Sequence, residues 1–223
     1  DTILIIGARR PVAFFAYPNK PGVLTQDSTK FFELANVSDN ITNVIEELSD
    51  RVGISTEVPS TISKLNIPDI PKGTINPTTL GMVLGALIPE NAIVVDESVT
   101  TGREFFYQTA GSHPHTWINN CGGSIGFGMP VAIGAAISCP DRKVISLEGD
   151  GSAMYTVQSL WTMARENLDI VVLIFANQSY KILQGELTNV GVVNPGKSAM
   201  EMLSLQDPSL DWVSLSKGMG VDA

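Results

Sequence analysis

The pattern of hydrophobic and polar positions divides the chain into short apolar runs and longer segments with helical spacing. The apolar runs, each closed by polar residues or glycine, are typical of strands buried in a parallel sheet. They predict strands at 2–6, 92–96, 143–147 and 170–175. In the segment 40–51 the apolar side chains recur every three or four residues, which predicts an amphipathic helix.

Helices are predicted to fill the intervals between the strands. They span 76–87, 100–109, 126–138 and 153–167, with two more after Tyr180 and near 211–218. Pro77 suits the first turn of a helix, and Ser152 is expected to be the N-cap of the helix that follows it. A long loop is expected at 111–123. Strands that alternate with longer helices indicate an α/β fold with a doubly wound parallel sheet, covered on both faces.

Residues 56–75 interrupt this alternation. They contain Pro59, Pro68 and Pro71 and show no apolar periodicity, which is typical of an interdomain linker. We therefore expect residues 1–55 and 76–223 to belong to different domains. The chain opens inside an expected strand without an initiator methionine, and it stops where another strand would begin. We expect it to be a piece of a longer protein.

The formal net charge of −9 narrows the choice of partners. An acidic surface repels nucleic acid and anionic lipid, so neither is an expected partner, and an anionic ligand must be held by local geometry. Cys121 and Cys139 lack metal-ligand spacing and are expected to be free thiols in a reducing cytoplasm. No apolar run approaches the roughly 20 residues that a membrane span requires.

The segment 147–152, with the sequence LEGDGS, carries the clearest chemical signal. An apolar strand ends here, glycines allow a tight turn and a helix follows, so the segment lies where open α/β sheets bind ligands. Gly149, Gly151 and Ser152 can bring backbone N–H groups and a hydroxyl close to an anion. Asp150 would repel that anion unless a Mg²⁺ ion bridged the two, because Mg²⁺ binds carboxylate and phosphate oxygens together.

A second set of oxygen ligands is expected after the next strand, 170–175. In a parallel sheet its carboxyl end lies on the same side as Asp150, and Asn177 is the second residue after it. Asn177 can offer its amide oxygen, and Ser179 can offer its backbone carbonyl. Together with Asp150, two diphosphate oxygens and a water molecule, these groups would complete the octahedron that Mg²⁺ prefers.

The motif Gly149-Asp150-Gly151, followed after 25 residues (152–176) by Asn177, resembles the signature of the thiamine-diphosphate enzymes. Those enzymes hold the diphosphate of their cofactor through Mg²⁺ at this motif. Over residues 76–223 the chain is similar to the acetolactate synthase and benzoylformate decarboxylase group. Residues 1–55 are similar to the last part of that group's Rossmann-like central domain. The resemblance implies thiamine diphosphate and Mg²⁺ as cofactors.

The resemblance also implies roles for residues outside the metal motif. Ile125, in the segment 122–128, resembles the apolar residue that holds the cofactor in its V shape, and Gly123 would offer a backbone contact to the aminopyrimidine. Val99 and Thr100 match the segment that donates to the diphosphate. Tyr180 matches an aromatic residue beside the diphosphate.

The implied reaction is the decarboxylation of a 2-keto acid, after which the remaining fragment is either protonated or added to a second carbonyl. In this family the glutamate that activates the cofactor lies in another domain, usually of a neighbouring subunit, so the catalytic residue is expected outside this chain. We expect the chain alone to be inactive and the whole protein to be a homodimer or homotetramer joined at the cofactor. Gly7-Ala8-Arg9 resembles a flavin-contacting turn, but residues 10–15 depart from that pattern, which argues against bound FAD.

Acetolactate synthase-like carboligation is the favoured activity. A simple 2-keto-acid decarboxylase, such as a benzoylformate decarboxylase, is one alternative, and a non-catalytic cofactor-binding relative is another. Acetolactate synthases usually carry a Trp-Gln pair where this chain reads Gln184-Gly185-Glu186. This departure keeps the decarboxylase alternative open.

Several of these residues also have plain structural interpretations. Thr100 could be a helix N-cap, Ile125 could pack in the core, and Asp150 and Asn177 could be ordinary turn residues. His113 and His115, in the loop 111–123, could orient a substrate or simply lie at the surface. We expect the three tryptophans to be packing residues: Trp117, Trp161 and Trp212.

Overall fold

The computed structural model describes residues 1–54 and 61–223, and the chain divides into two compact units, Asp1–Ile62 and Ser63–Ala223. Residues 55–60, where the predicted linker 56–75 begins, lie outside the described residues. The domain boundaries that we expected from the sequence therefore stay a prediction.

The first unit contains two parallel strands and one helix. Strand β1 (Thr2–Ile6) pairs with β2 (Lys30–Ala35), and α1 (Ile41–Val52) follows. The Asn40 side chain accepts a hydrogen bond from the Asn43 N–H and caps α1, as a helix N-terminus requires. The prediction that strand 2–6 is buried was wrong: only Ile5 of β1 is buried, because a two-stranded sheet has few neighbours to cover it.

The second unit is built on a four-stranded parallel sheet with the order β4-β3-β5-β6. Its strands are β3 (Ile93–Glu97), β4 (Thr116–Asn119), β5 (Val144–Gly149) and β6 (Ile170–Phe175). Its helices are α2 (Pro77–Leu87), α3 (Phe105–Gln108), α4 (Gly128–Ser138), α5 (Asp150–Ala153), α6 (Ser159–Arg165), α7 (Lys181–Asn189), α8 (Lys197–Met202) and α9 (Trp212–Gly218). The predicted parallel α/β fold is confirmed.

Helices cover both faces of this sheet, because successive side chains of a strand point to opposite sides. Ile93 of β3 packs on one face and Val94 on the other. The buried residues of the first face are Ile93, Val95, Met129, Ala132, Ala136, Val144, Ala153, Leu160 and Met163. Those of the second face are Leu84, Ile88, Ala92, Val94, Phe105, Ile145 and Leu147. No helix among the described residues is long and apolar enough to cross a membrane.

The start of α2 shows how local sequence fixes an element. The Asn76 side chain accepts a hydrogen bond from the Thr79 N–H at 3.0 Å, and the Thr79 hydroxyl accepts one from the Asn76 N–H at 2.9 Å. These reciprocal bonds satisfy two donors at the helix start, and Pro77 needs no partner there. The predicted beginning of this helix is therefore confirmed.

The helix predicted at 100–109 is reduced to α3, which begins at Phe105. Residues 99–104 form turns, and Val99 has a φ of +49°, a left-handed conformation that cannot continue into an α-helix. Thr100 is therefore not the N-cap of a helix. The loop predicted at 111–123 contains β4, whose four residues are too few to show a strand pattern.

The single helix predicted at 153–167 was also wrong. Turns at 154–158 separate α5 from α6, and within these turns Thr156 donates its hydroxyl to the Gly126 carbonyl at 3.1 Å. Helical backbone begins directly at the end of β5, with Gly149 in the N-cap position. Ser152 therefore lies buried inside α5 and does not cap a helix.

Candidate functional site

The segments that follow β5 and β6 meet at the carboxyl edge of the sheet. The parallel register sets Gly149 opposite Phe175, so Asp150 and Asn177 lie just beyond paired strand ends. The backbone N–H of Gln178 donates to Asp150 Oδ2 at 2.6 Å and ties the two segments together. The candidate metal ligands that the sequence places far apart are thus brought to one edge.

Asp150 is a buried carboxylate, only 2% exposed. Its oxygens accept hydrogen bonds from the Gln178 N–H and, at 3.0 Å, from the Gly151 N–H. None of the ion pairs formed by the described residues involves Asp150. Burial raises the pKa of Asp150 above its ordinary value, although these backbone donors act in the opposite direction. The carboxylate accepts only backbone N–H groups and has no charged partner among the described residues, so it suits a cation that would supply the missing positive charge.

The loop after β6 is fixed from two sides. The Asn177 side chain accepts the Ser179 N–H at 3.0 Å, and Gln178 adopts a φ of +56°. The loop is also bonded to a later segment of the chain. The Gln178 carbonyl accepts the Leu205 N–H, and the Tyr180 N–H donates to the Leu203 carbonyl, both at 2.9 Å. The segment around residue 204 therefore holds the candidate ligands in place, a support that the sequence did not reveal.

Gly151 is also needed for a reason that the sequence did not reveal. A Cβ atom at position 151 would lie 2.6 Å from Cε1 of Tyr180, so only glycine lets that ring close over the motif. The pKa of Tyr180 is raised, first by burial and then by the nearby Tyr155 and Asp150. The Tyr180 ring thus lies beside Gly151, and its predicted place beside the diphosphate stays a prediction.

A cavity of about 460 Å³ opens at this edge. It is lined by Pro77, Thr100, Thr101, Asn177, Ser179, Lys181 and Gln184. Three of these, Thr100, Asn177 and Ser179, are predicted site residues. The Lys181 ammonium adds a positive charge and donates to Gln184 Oε1 at 3.0 Å.

Sequence reasoning missed the other lining residues. Lys181 and Gln184 lie in the first turns of α7, directly after the predicted ligands, and that position was a usable signal. Pro77 and Thr101 carried no comparable signal.

The segment 122–128, which carries Gly123 and Ile125, forms a glycine-rich loop. Positive φ values occur at Gly122, Gly123 and Gly126, where residues with a side chain would be strained. Ile125 is half-buried and belongs to neither core cluster of the described residues, so the core-packing interpretation is not supported. Neither Gly123 nor Ile125 lines the cavity described above, and their cofactor contacts stay predictions.

Two buried glutamates lie beside this loop, and sequence reasoning missed both. Glu97 ends β3 and Glu148 lies opposite it in β5, with exposures of 2% and 0%. Burial, followed by the negative charge of Glu97, raises the pKa of Glu148 to about 8, against a hydrogen bond from Ser146 that lowers it. A charged residue at the end of an apolar strand was the signal that could have found them.

The histidines and tryptophans take other places. His115 lies beside Asn91 and Arg142 at the amino end of β4, which is the opposite edge of the sheet from Asp150. That position does not favour a role for His113 or His115 in orienting a substrate. Trp117 and Trp212 pack against the core clusters, but Trp161 is 50% exposed beneath Arg165, so its assignment as a packing residue was wrong.

The described residues contain no group of three His, Cys, Asp or Glu side chains that could hold a metal ion. A hard divalent cation at Asp150 would therefore need oxygen ligands of other kinds. Diphosphate oxygens fit this need, because they bring both ligands and negative charge. The arrangement suits an ion that binds together with a phosphorylated ligand.

The comparisons with known proteins identify the family of this chain. Residues 102–223 match the family described as thiamine pyrophosphate enzyme, C-terminal TPP binding domain. The matched region includes the whole segment from Asp150 to Ser179. The family therefore covers the candidate metal ligands, while Val99 and Thr100 fall just before it.

Relatives of this chain come from both enzyme groups named above. Over 222 residues it is 42% identical to a Mycobacterium tuberculosis protein that bears the name acetolactate synthase large subunit IlvX, covering 99% of this chain and 42% of that one. Over 152 residues it is 34% identical to a benzoylformate decarboxylase of Pseudomonas aeruginosa, covering 68% of this chain and 27% of that one.

The solved structure of a thiamine diphosphate-dependent 4-hydroxybenzoylformate decarboxylase from Rhodococcus jostii RHA1 has the same fold. It matches with a TM-score of 0.76 and 28% identity, over 100% of this chain and 43% of that one. The chain thus spans about two fifths of the length of the Mycobacterium tuberculosis protein and of the Rhodococcus jostii enzyme.

The raised pKa of Glu148 predicts how stability depends on pH. Between its ordinary value of 4.5 and about 8, the folded protein retains a proton that the unfolded chain releases. The free energy of unfolding should therefore fall as pH rises through this window and level off above it. Glu148→Gln should remove this decline, on the order of a few kcal/mol, and gain stability over the parent protein as pH rises.

Urea unfolding of the cofactor-free protein across this pH range measures the effect. Glu90→Gln, at an exposed position, is the matched control and should keep the pH dependence of the parent. An equal decline in the parent protein and in Glu148→Gln would contradict the prediction.

Proposed function

The chain belongs to the thiamine pyrophosphate enzyme family, and on that premise we propose that its second unit binds the cofactor diphosphate through a Mg²⁺ ion held by Asp150, Asn177 and the Ser179 carbonyl. The observation that carries this proposal is the buried Asp150 carboxylate, which lacks a countercharge and is hydrogen-bonded to the loop that carries Asn177. A Mg²⁺ ion would neutralise the carboxylate and bridge it to the anionic cofactor.

The remaining donors around the cavity support a bound diphosphate. Thr100 and Thr101 provide hydroxyl groups, and Lys181 provides an ammonium group, in the same cavity that Asn177 and Ser179 line. Because the whole chain carries a net charge of −9, these local donors and the ion must supply the attraction for the anion. Gly149, Gly151 and Ser152 complete the proposed contacts, with Val99 contributing backbone and the Tyr180 ring beside them.

Each part of the chain then has a task in a reaction of 2-keto acids. Thiamine diphosphate, when bound, supplies a nucleophilic carbon and takes up the electron pair that is left when carbon dioxide departs. Asp150 and Asn177 anchor the ion, and the loop with Gly123 and Ile125 orients the other end of the cofactor. The glutamate that activates the cofactor comes from outside this chain in our proposal, so the chain supplies binding and orientation.

We favour carboligation of the acetolactate synthase kind as the activity of the whole protein. The support is the 42% identity with the named acetolactate synthase large subunit, which extends over 99% of this chain. The alternative is simple decarboxylation of a 2-keto acid, supported by the benzoylformate decarboxylase relative and the decarboxylase structure. A non-catalytic relative that only binds the cofactor is the candidate from another class.

The proposal also covers assembly and location. A cofactor held at one sheet edge and activated from another domain fits a homodimer or homotetramer joined at the cofactor. The free thiols Cys121 and Cys139 fit the reducing cytoplasm in which we place the protein. Neither nucleic acid nor a membrane is part of the proposal.

Calorimetric titration of the full-length protein with thiamine diphosphate, with and without Mg²⁺, tests the site. Asp150→Ala should weaken Mg²⁺-dependent binding by roughly 100-fold or more, since even indirect partners of a metal site contribute about 10–100-fold. Asp150→Ala also leaves the Gly151 and Gln178 N–H groups without their acceptor, so thermal unfolding without cofactor should be measured in parallel to show that the titrated variant is folded.

Asp141→Ala is the matched control, because this aspartate is exposed and lines a different cavity. It should bind the cofactor as the parent protein does. Tight binding that ignores both Mg²⁺ and Asp150 would show that the metal assignment is wrong.

Product analysis of the full-length protein with pyruvate distinguishes the candidate activities. Acetolactate as the main product is the expected result and supports carboligation, whereas acetaldehyde alone would support the simple decarboxylase. Benzoylformate should be supplied in parallel, with benzaldehyde as its decarboxylation product. Cofactor binding with no turnover of either acid would favour the non-catalytic relative.

A further inference from the structure

A buried carboxylate holds the loop that leads into α4. Glu97 Oε1 accepts hydrogen bonds from the Gly126 N–H at 2.6 Å and the Phe127 N–H at 3.4 Å, and Oε2 accepts the Gly128 N–H at 2.8 Å. The Glu97 side chain is 2% exposed and forms no ion pair among the described residues. Its negative charge is instead stabilised by these N–H donors at the N-terminus of an 11-residue helix.

Glu148, on the neighbouring strand, packs against the same helix start. It lies opposite Glu97 in the register of β3 and β5, and the Ser146 hydroxyl donates to its Oε1 at 2.5 Å. A Cβ atom at position 128 would lie only 2.2 Å from Glu148 Oε1, so the helix can begin here only with glycine.

The loop needs such an anchor because its glycine-rich backbone can adopt many conformations. Gly122, Gly123 and Gly126 all adopt positive φ values, and glycine loses more conformational freedom on folding than any other residue. Gly122 and Gly123 are exposed, so few contacts restrain that end of the loop. The first of the three hydrogen bonds to Glu97 comes from the N–H of Gly126, the residue after Ile125. The three bonds therefore fix the backbone next to Ile125 relative to the start of α4.

We propose that Glu97 is a positioning residue for the cofactor, which holds the backbone of residues 126–128 and thereby sets Ile125 and Gly123 against the end remote from the diphosphate. The inference rests on the proposed function, because it takes Ile125 and Gly123 as cofactor contacts. The hydrogen bonds of the Glu97 side chain reach the loop and not the lining of the diphosphate cavity. Glu97 therefore acts on one end of the cofactor and not on the other.

Two ligands, thiamine diphosphate and inorganic pyrophosphate, test the two ends of the cofactor site separately in the full-length protein. Glu97→Gln keeps the shape of the side chain, but it removes the charge and sets an NH₂ group against one of the backbone donors. The variant should bind thiamine diphosphate with Mg²⁺ about tenfold more weakly or worse, the usual scale for a lost charge-assisted hydrogen bond. It should bind inorganic pyrophosphate with Mg²⁺ as the parent does, whereas Asp150→Ala should lose both ligands.

Hydrogen exchange of the cofactor-free protein gives a readout that is independent of cofactor binding. The peptide that covers residues 122–128 should exchange faster in Glu97→Gln than in the parent. Glu104→Gln, at an exposed position a few residues along the chain, is the matched control and should change neither exchange nor binding.

The possible outcomes distinguish this inference from the proposed function. If Glu97→Gln loses thiamine diphosphate and pyrophosphate equally, or loses neither, the positioning role is overturned. Unchanged exchange at residues 122–128 would overturn it as well. A parent protein that fails to bind thiamine diphosphate at all would instead overturn the proposed function, and this inference with it.

Discussion

The parallel pairing of β5 with β6 is the interaction on which the site depends. Its register sets Gly149 opposite Phe175, so both strands end at the same level; Asp150 is the next residue after Gly149, and Asn177 is the second residue after Phe175. A shift of register by one residue would reverse the face of every side chain in β6 and move Asn177 away from Asp150. The hydrogen bond from the Gln178 N–H to Asp150 closes this junction and turns two separate strand ends into one edge.

The second constraint on the site is electrostatic: three buried acidic side chains form no ion pair among the described residues. Asp150, Glu97 and Glu148 all lie near this edge, and their partners are backbone N–H groups or a hydroxyl. Burying a charge is costly unless something compensates it. Each of the three is compensated differently: Glu97 by a helix N-terminus, Glu148 by retaining its proton, and Asp150, in our proposal, by a metal ion. These buried acidic groups therefore connect the loop 122–128 to β3, and the segment after β5 to the loop after β6.

The sequence predicted this architecture where its patterns were long or chemically specific. The strand 170–175, the helix start at Asn76 and the family motif at Gly149–Gly151 were evident, because periodicity, capping residues and glycine turns act locally. The supports of the site were not evident, because they depend on tertiary contacts. Glu97 meets a loop some thirty residues away, and Leu203 and Leu205 fix the ligand loop from a distant segment. The positive φ of Val99, which shortened the helix predicted at 100–109, also has no signature in the sequence.

The most direct test of this account is a crystal structure of the full-length protein grown with thiamine diphosphate and Mn²⁺, which replaces Mg²⁺ and gives an anomalous signal. The account predicts one anomalous peak within about 2.5 Å of an Asp150 carboxylate oxygen, the Asn177 amide oxygen and the Ser179 carbonyl, with diphosphate oxygens completing the octahedron. A well-ordered cofactor whose ion lies elsewhere, or whose diphosphate contacts neither Asp150 nor the ion, would contradict it.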